Sequence, residues 1–294
     1  MAISDEELSF EHHIEFHRGL GLLTGDPKTD AYWHHEAEDT HTLLICDAVR
    51  DAIFAVVTLA QSVNSVEAKM QLNFGVARRT KFIWLSLRQL YGLIAPDRTE
   101  PLPSDDVEKA AQDLNAIYIN IRGTLDNFAW CLVDLFCEER TRLLPATKID
   151  LFGVDFLRDA NLREVAEFVN GFADWNRELK ARRNPAAHRI PLSVPPAFLD
   201  AAAQNEYARI SAEYTEVSNA AARAVGEGSD SSVLFEKATL LNDRLQRVGT
   251  FSPVFVHHLD EGATKIYPLV PQDIGQLVKI VRGLTDIISG KPAA

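Results

Sequence analysis

Residues 114–135, LNAIYINIRGTLDNFAWCLVDL, decide the fold of this 294-residue chain. Apolar side chains recur there at steps of three and four, which places them on one stripe of an α-helix about six turns long. The members of the stripe are Leu114, Ile117, Tyr118, Ile121, Leu125, Phe128, Leu132 and Leu135. A long helix with one continuous apolar stripe buries that stripe against other helices, so the pattern predicts the central helix of a bundle.

Similar helical patterns cover most of the chain. They are separated by Gly- and Pro-containing breaks, which are typical of the loops between helices. The pattern predicts helices at 4–23, 30–62, 64–95, 104–135, from 161 into the segment 181–192, after 196 to about 224, 232–248 and between 271 and 290. We therefore expect a mainly α protein, an antiparallel helical bundle.

A small β-hairpin is predicted near the C-terminus. Residues 252–259 and 263–269 contain alternating apolar residues and flank Asp260-Glu261-Gly262, a strong turn signal. We divide the chain into an N-terminal helix and His-rich loop, a helical bundle, and an accessory unit of linker, helix, hairpin and final helix packed on the bundle. These three parts are residues 1–34, 35–225 and 226–294.

Composition limits the classes of function. A net charge of −12 argues against broad nonspecific binding to nucleic acid or to anionic membranes. Three cysteines without a CxxC pair favour a reducing compartment. The acidic N-terminus does not resemble a signal peptide, and the longest apolar run is too short to span a bilayer. We predict a cytoplasmic protein without membrane association.

The segment 181–192, ARRNPAAHRIPL, carries the strongest functional signal. Residues 177–189 contain five Arg or Lys and one Glu, a local charge of 5 − 1 = +4 on an acidic chain. This cluster indicates a local anion site. A histidine can transfer protons near neutral pH, and an arginine can hold a phosphate through two parallel hydrogen bonds. Such a pair suits phosphodiester cleavage without a metal or another cofactor.

The order Arg183, Asn184 and then His188, at the end of a helix in an all-helical chain, resembles the HEPN family of helical-bundle ribonucleases. Its signature is an arginine, a polar residue directly after it, and a histidine beyond four to six intervening residues. The resemblance covers roughly residues 35–225. It implies that these three residues are catalytic and that Arg182 and Arg189 support them.

The same resemblance implies an activity and partners. Family members act as RNases in toxin–antitoxin and phage-defence systems, although many of them only bind RNA. They usually form homodimers in which two motifs face one cleft, and an antitoxin protein is a possible partner. A polar residue on an earlier helix often lies near the arginine. Asp126 is the best candidate for that position, and Asn127 is the next.

A second basic surface is predicted on the helix at 64–95. Arg78, Lys81 and Arg88 fall on one helical stripe, and no acidic residue occurs between positions 76 and 90. With Lys180 they could contact RNA phosphates. Alternatively, they pair with acidic side chains on neighbouring helices.

Two other interpretations remain open. In the first, the protein is a noncatalytic helical scaffold whose Arg/His cluster is structural. Asn184-Pro185 would then start a new helix, since Pro185 is expected to prevent one long helix from running through His188. In the second, which is weaker, the N-terminal histidines bind a metal. That set is His13, His17, Glu38 and His41.

Overall fold

The computed structural model describes residues 3–188, 190–257 and 262–290, without the side chains of residues 185–188. The fold is mainly α, with one small antiparallel sheet near the C-terminus, as the sequence predicts. In chain order the elements are α1 (Phe10–Gly19), α2 (Pro27–Ser62), α3 (Val66–Met70), a π-helix (Gln71–Ala77), α4 (Arg78–Leu93), α5 (Ser104–Leu135), α6 (Glu139–Arg142), α7 (Val154–Leu157), α8 (Arg163–Asn170), α9 (Ala173–His188), α10 (Ala201–Gly226), α11 (Ser232–Leu245), β1 (Val254–Phe255), β2 (Thr264–Lys265) and α12 (Leu269–Ile288).

Helix α5 lies at the centre of the bundle and packs against α4 and α9. Seven residues of the apolar stripe read from the sequence are buried, from Leu114 to Leu132, and Leu135 packs against the same core. The central helix predicted from this stretch is therefore confirmed.

Helix α2 packs against α4 and α12. Its N-terminus is capped, because the Asp26 carboxylate accepts a hydrogen bond from the Thr29 N–H, and Pro27 occupies the first turn. The predicted first helix is shorter than expected. Ser4 and Glu7 form the reciprocal hydrogen bonds of a capping box, but regular helix begins only at Phe10.

The helix predicted at 64–95 contains a π-helical segment between α3 and α4. Gly75 lies in this segment against the Asn127 side chain of α5, and a Cβ at Gly75 would lie 2.5 Å from the Asn127 Cγ. The wider turn and the glycine together let the two helices approach closely around a polar side chain.

The C-terminal region contributes to two hydrophobic cores. Helix α12 belongs to the main core, since residues from Val270 to Leu284 are buried in it. Helices α10 and α11 instead pack on each other around a separate small core. The boundary predicted at 225/226 thus falls at the end of α10, inside this helix pair, and the one at 34/35 falls inside α2.

The predicted hairpin is present as a short ladder in which Val254 pairs with Lys265 and Phe255 with Thr264. Its predicted turn at Asp260-Glu261 lies outside the described residues. An isolated bridge from Ser193 to Val256 attaches the segment that follows α9 to the same strand. None of the helices that the structure describes is long and apolar enough to cross a membrane.

Candidate functional site

The backbone of α9 carries the motif. The helix continues from Ala173 through Pro185 to His188, so the expectation that Pro185 ends it before the histidine is wrong. Pro185 lies in the last turn of α9. The missing proline N–H removes one helical hydrogen bond, the one to the Ala181 carbonyl, and only three helical residues follow it. The predicted single helix from Asn161 is divided instead, because α8 ends at Asn170.

Arg182 is a structural residue. Its side chain is only 14% exposed, and its Nη2 lies 2.8 Å from the Oδ1 of Asp273 on α12, which is 3% exposed. Asp273 also accepts hydrogen bonds from the Trp175 Nε1 at 2.9 Å and the Tyr118 hydroxyl at 3.1 Å. The ion pair joins α9 to α12 and α5. Arg182, predicted to support the motif, is thus paired with a buried carboxylate of α12.

Arg183 lies on a different side of α9 and is half-buried. Its Nη1 donates a hydrogen bond to the Asn184 Oδ1 at 3.3 Å. Burial raises the pKa of Asp126 on α5, and the positive charges of Arg122 and Arg183 oppose that rise. The structure thus brings the predicted residues Arg183, Asn184 and Asp126 into one electrostatic cluster between α5 and α9.

Arg122 holds this cluster in place from α5. Its Nη2 lies 2.8 Å from Asp126 and 2.9 Å from Asp150, in the connection before α7. Burial favours a higher pKa for Asp150, but Arg122 and the Phe152 N–H lower it below its usual value. Lys180, predicted to contact RNA, lies 3.3 Å from Asp150 and belongs to the same network. No sequence motif predicted that Asp150 would join this network.

The last turn of α9 places His188 four residues after Asn184, the spacing at which two helical residues share one face. The His188 side chain and all of Arg189 lie outside the described residues. The backbone of α9 thus places the histidine one helical turn beyond Asn184.

Asn127 does not serve the motif. Its Oδ1 accepts a hydrogen bond from the Arg79 Nε at 3.0 Å, and its Nδ2 donates to the Gln71 Oε1 at 2.7 Å. Asn120 also accepts from Arg79, at 3.3 Å. The polar residues of α5 form two networks on different faces, one toward α9 and one toward α4. The sequence analysis did not identify Arg79 and Gln71 as members of the second network.

The basic stripe on α4 is exposed as predicted. Arg78, Lys81 and Arg88 form no ion pair within residues 3–188, 190–257 and 262–290, so the alternative of pairing with acidic neighbours finds no support there. The Arg88 guanidinium lies 4.7 Å from the Trp84 ring centroid. Phe82, expected to face inward, is 47% exposed.

The N-terminal histidines are part of the packing between α1 and α2. The His13 Nε2 bonds to the Glu7 carbonyl at 3.0 Å, the His17 Nδ1 to the His13 carbonyl at 2.8 Å, and the His41 Nε2 to the Leu8 carbonyl at 3.2 Å. In the described part of the chain, no three His, Cys, Asp or Glu side chains converge as a metal site would require.

The chain matches no family model, and comparisons with curated proteins and with solved structures found no similar protein.

Proposed function

We propose that the protein is a metal-independent endoribonuclease of the HEPN type, with its site at the α5–α9 crossing. The observation that supports this most is that the charge of Arg183 on α9 acts on the Asp126 carboxyl of α5 and opposes the rise in its pKa, with Asn184 hydrogen-bonded to Arg183 and the backbone of α9 continuing to His188. A half-buried arginine positioned by an acidic residue is suited to holding a phosphate in a fixed orientation.

Each residue has a distinct role in the proposed reaction. His188 takes the proton from a ribose 2′-hydroxyl, whose oxygen attacks the adjacent phosphorus. The bond from phosphorus to the 5′-oxygen breaks, and that oxygen receives a proton as it leaves. Arg183 binds the phosphate oxygens while Asn184 and Asp126 fix the guanidinium. The products are a 2′,3′-cyclic phosphate and a 5′-hydroxyl.

The reaction needs two proton transfers, and one motif supplies one histidine. We therefore propose a homodimer in which the histidine of a second copy protonates the leaving oxygen. The exposed cations Arg78, Lys81 and Arg88 would bind the RNA backbone away from the reacting phosphate. A role in phage defence or as a toxin controlled by an antitoxin protein, and a cytoplasmic location, belong to the same proposal.

Cleavage of a single-stranded RNA in the presence of EDTA tests the proposal. Wild-type protein should cut the RNA, His188→Ala should not, and Arg183→Lys should be slower because lysine lacks the bidentate geometry. Arg177→Ala is the matched control, since Arg177 lies on the same helix, is exposed, and pairs only with Asp174. Cleavage that requires Mg²⁺ or persists in His188→Ala would exclude the mechanism.

A noncatalytic helical scaffold is the second candidate. It is favoured by the buried pair of Arg182 and Asp273, which gives the arginine-rich segment a structural task. A scaffold should cleave no RNA under any condition. Its Arg183→Ala and His188→Ala variants should also leave binding to RNA unchanged.

A further inference from the structure

A cleft of about 380 Å³ lies beside the π-helix, on the face of α5 that meets α4 and not on the face that meets α9. Its volume is within the range of small-ligand sites. Its walls include Gln71, Phe74, Arg78, Arg79, Phe82 and Asn127. The described residues that line it include no Asp or Glu, so the cleft is positively charged on a chain whose net charge is −12.

Arg79 carries a positive charge that no carboxylate balances within the described part of the chain. Two arginines on neighbouring helices are instead paired with acids: Arg122 with Asp126 and Asp150, and Arg182 with Asp273. Among the described residues Arg79 has no ion pair, and its Nε and Nη1 donate to two asparagine oxygens instead. Two of its five N–H groups are thus used, and the guanidinium keeps the capacity to bind an anion.

The position of Arg79 is built by two glycines. A Cβ at Gly123 would lie 2.5 Å from the Arg79 Cζ, so only glycine at this point of α5 lets the guanidinium lie across the helix. Gly75 admits Asn127 in the same way, and Asn127 holds Arg79. The π-helix contributes Gln71, Phe74 and Gly75 to the lining of the cleft beside this arginine.

The outer walls are aromatic. Phe74 is 60% exposed and Phe82 is 47% exposed, although both belong to a helix with a well-buried inner face. Arg78 lies above Phe74, with its guanidinium carbon 5.2 Å from the ring centroid. Exposed aromatic rings beside unpaired arginines are the combination that binds nucleotides, because bases stack on the rings and phosphates pair with the cations.

We propose that this cleft binds a nucleotide phosphate. Arg79 and Arg78 bind the phosphate, and the base stacks against Phe74 or Phe82. The nucleotide is either a free mononucleotide or a unit of single-stranded RNA, since both present the same phosphate and base. The site is distinct from the motif on α9 and does not depend on the ribonuclease proposal.

Calorimetric titration of the full-length protein tests this inference. The ligands are AMP, adenosine without phosphate, and a single-stranded hexa-adenylate RNA. The RNA is titrated into a His188→Ala background, so that any cleavage cannot consume it. Failure of the cleavage reaction therefore leaves the binding measurement intact. We expect AMP or the hexanucleotide to bind and adenosine to bind at least tenfold more weakly.

Three variants locate the binding. Arg78→Ala and Phe82→Ala, both at exposed positions, should each weaken binding about tenfold. Arg177→Ala is the control, because Arg177 is an exposed arginine on α9 that does not line the cleft. Arg79→Gln should remove binding, with a circular dichroism melt to show that the variant folds.

The outcomes separate the sources of the ligand. Binding of AMP assigns the cleft to free nucleotides, and binding of the hexanucleotide alone assigns it to RNA. Binding that is equally reduced by Arg177→Ala would overturn the inference, as would no binding of either phosphate ligand. Phe82-dependent self-association without nucleotide binding would instead assign the aromatic wall to protein contact.

Discussion

Replacing each of two adjacent arginines should destabilise the protein by very different amounts. Arg182→Met leaves the Asp273 carboxylate, 3% exposed, without its counter-charge. Removing one partner of a buried ion pair costs about 3–5 kcal/mol. We expect the lower end, about 3 kcal/mol, because Trp175 and Tyr118 still donate to the carboxylate and burial already raises its pKa, which eases protonation. For a chain of this length the melting temperature should fall by roughly 5 °C.

Arg183→Met is the internal comparison. Arg183 is half-buried, whereas the Arg182 side chain is only 14% exposed, so the replacement of Arg183 should cost about 1 kcal/mol or less. Urea unfolding at neutral pH, followed by circular dichroism, measures both values. Adding Asp273→Asn to Arg182→Met should recover part of the loss, since the amide oxygen still accepts hydrogen bonds without a charge. Equal losses for the two arginine variants, or less than 1 kcal/mol for Arg182→Met, would refute the assignment.

Three further predictions concern the packing and assembly. Burial lowers the pKa of His41 to about 4, so the contribution of the neutral imidazole to the free energy of unfolding is fully present above pH 6.5 and should fall by about 3 kcal/mol as the pH drops to 4. His41→Gln should flatten this pH dependence in urea titrations, and an unchanged slope would exclude the assignment. Gly123→Ala should destabilise the protein by about 1–3 kcal/mol, because the new methyl group would clash with Arg79. Gly92→Ala is the control: it has no described neighbour within 4 Å and should be neutral or stabilising by up to about 1 kcal/mol. Similar melting temperatures for the two variants would contradict the packing described. Sedimentation at micromolar concentration should show a dimer, and a monomer would remove the shared-site form of the ribonuclease proposal.

The sequence predicted the elements whose signal is local. The period of the residues from Leu114 to Leu135 is carried by a single helix, so α5 followed directly from spacing. The turn signal before β2 is likewise local. The Asp26 cap of α2 is also a local feature, but the helix was predicted without it. Local rules failed at Pro185, where the position within the last turn, and not the residue type, decides whether a helix can continue.

The parts that could not be predicted depend on distant partners. Spacing alone made Arg182 and Arg183 equivalent, and only Asp273, 91 residues later, makes the first structural. The π-helix depends on a glycine meeting Asn127, whose hydrogen-bonded partner Gln71 is 56 residues away. An isolated glycine within a strongly helical pattern, such as Gly123, is the one sequence signal that indicates such a close approach.

The most direct test of the ribonuclease proposal is the chemistry of the cut ends. A single-stranded RNA carrying one 2′-deoxy nucleotide at the preferred cleavage position is incubated with protein and EDTA beside the all-ribose substrate. We expect 2′,3′-cyclic phosphate ends from the all-ribose RNA and no cut at the deoxy position, because the nucleophile in the proposed mechanism is the ribose 2′-hydroxyl. Cleavage at the deoxy position, or products with 5′-phosphate ends, would contradict this mechanism.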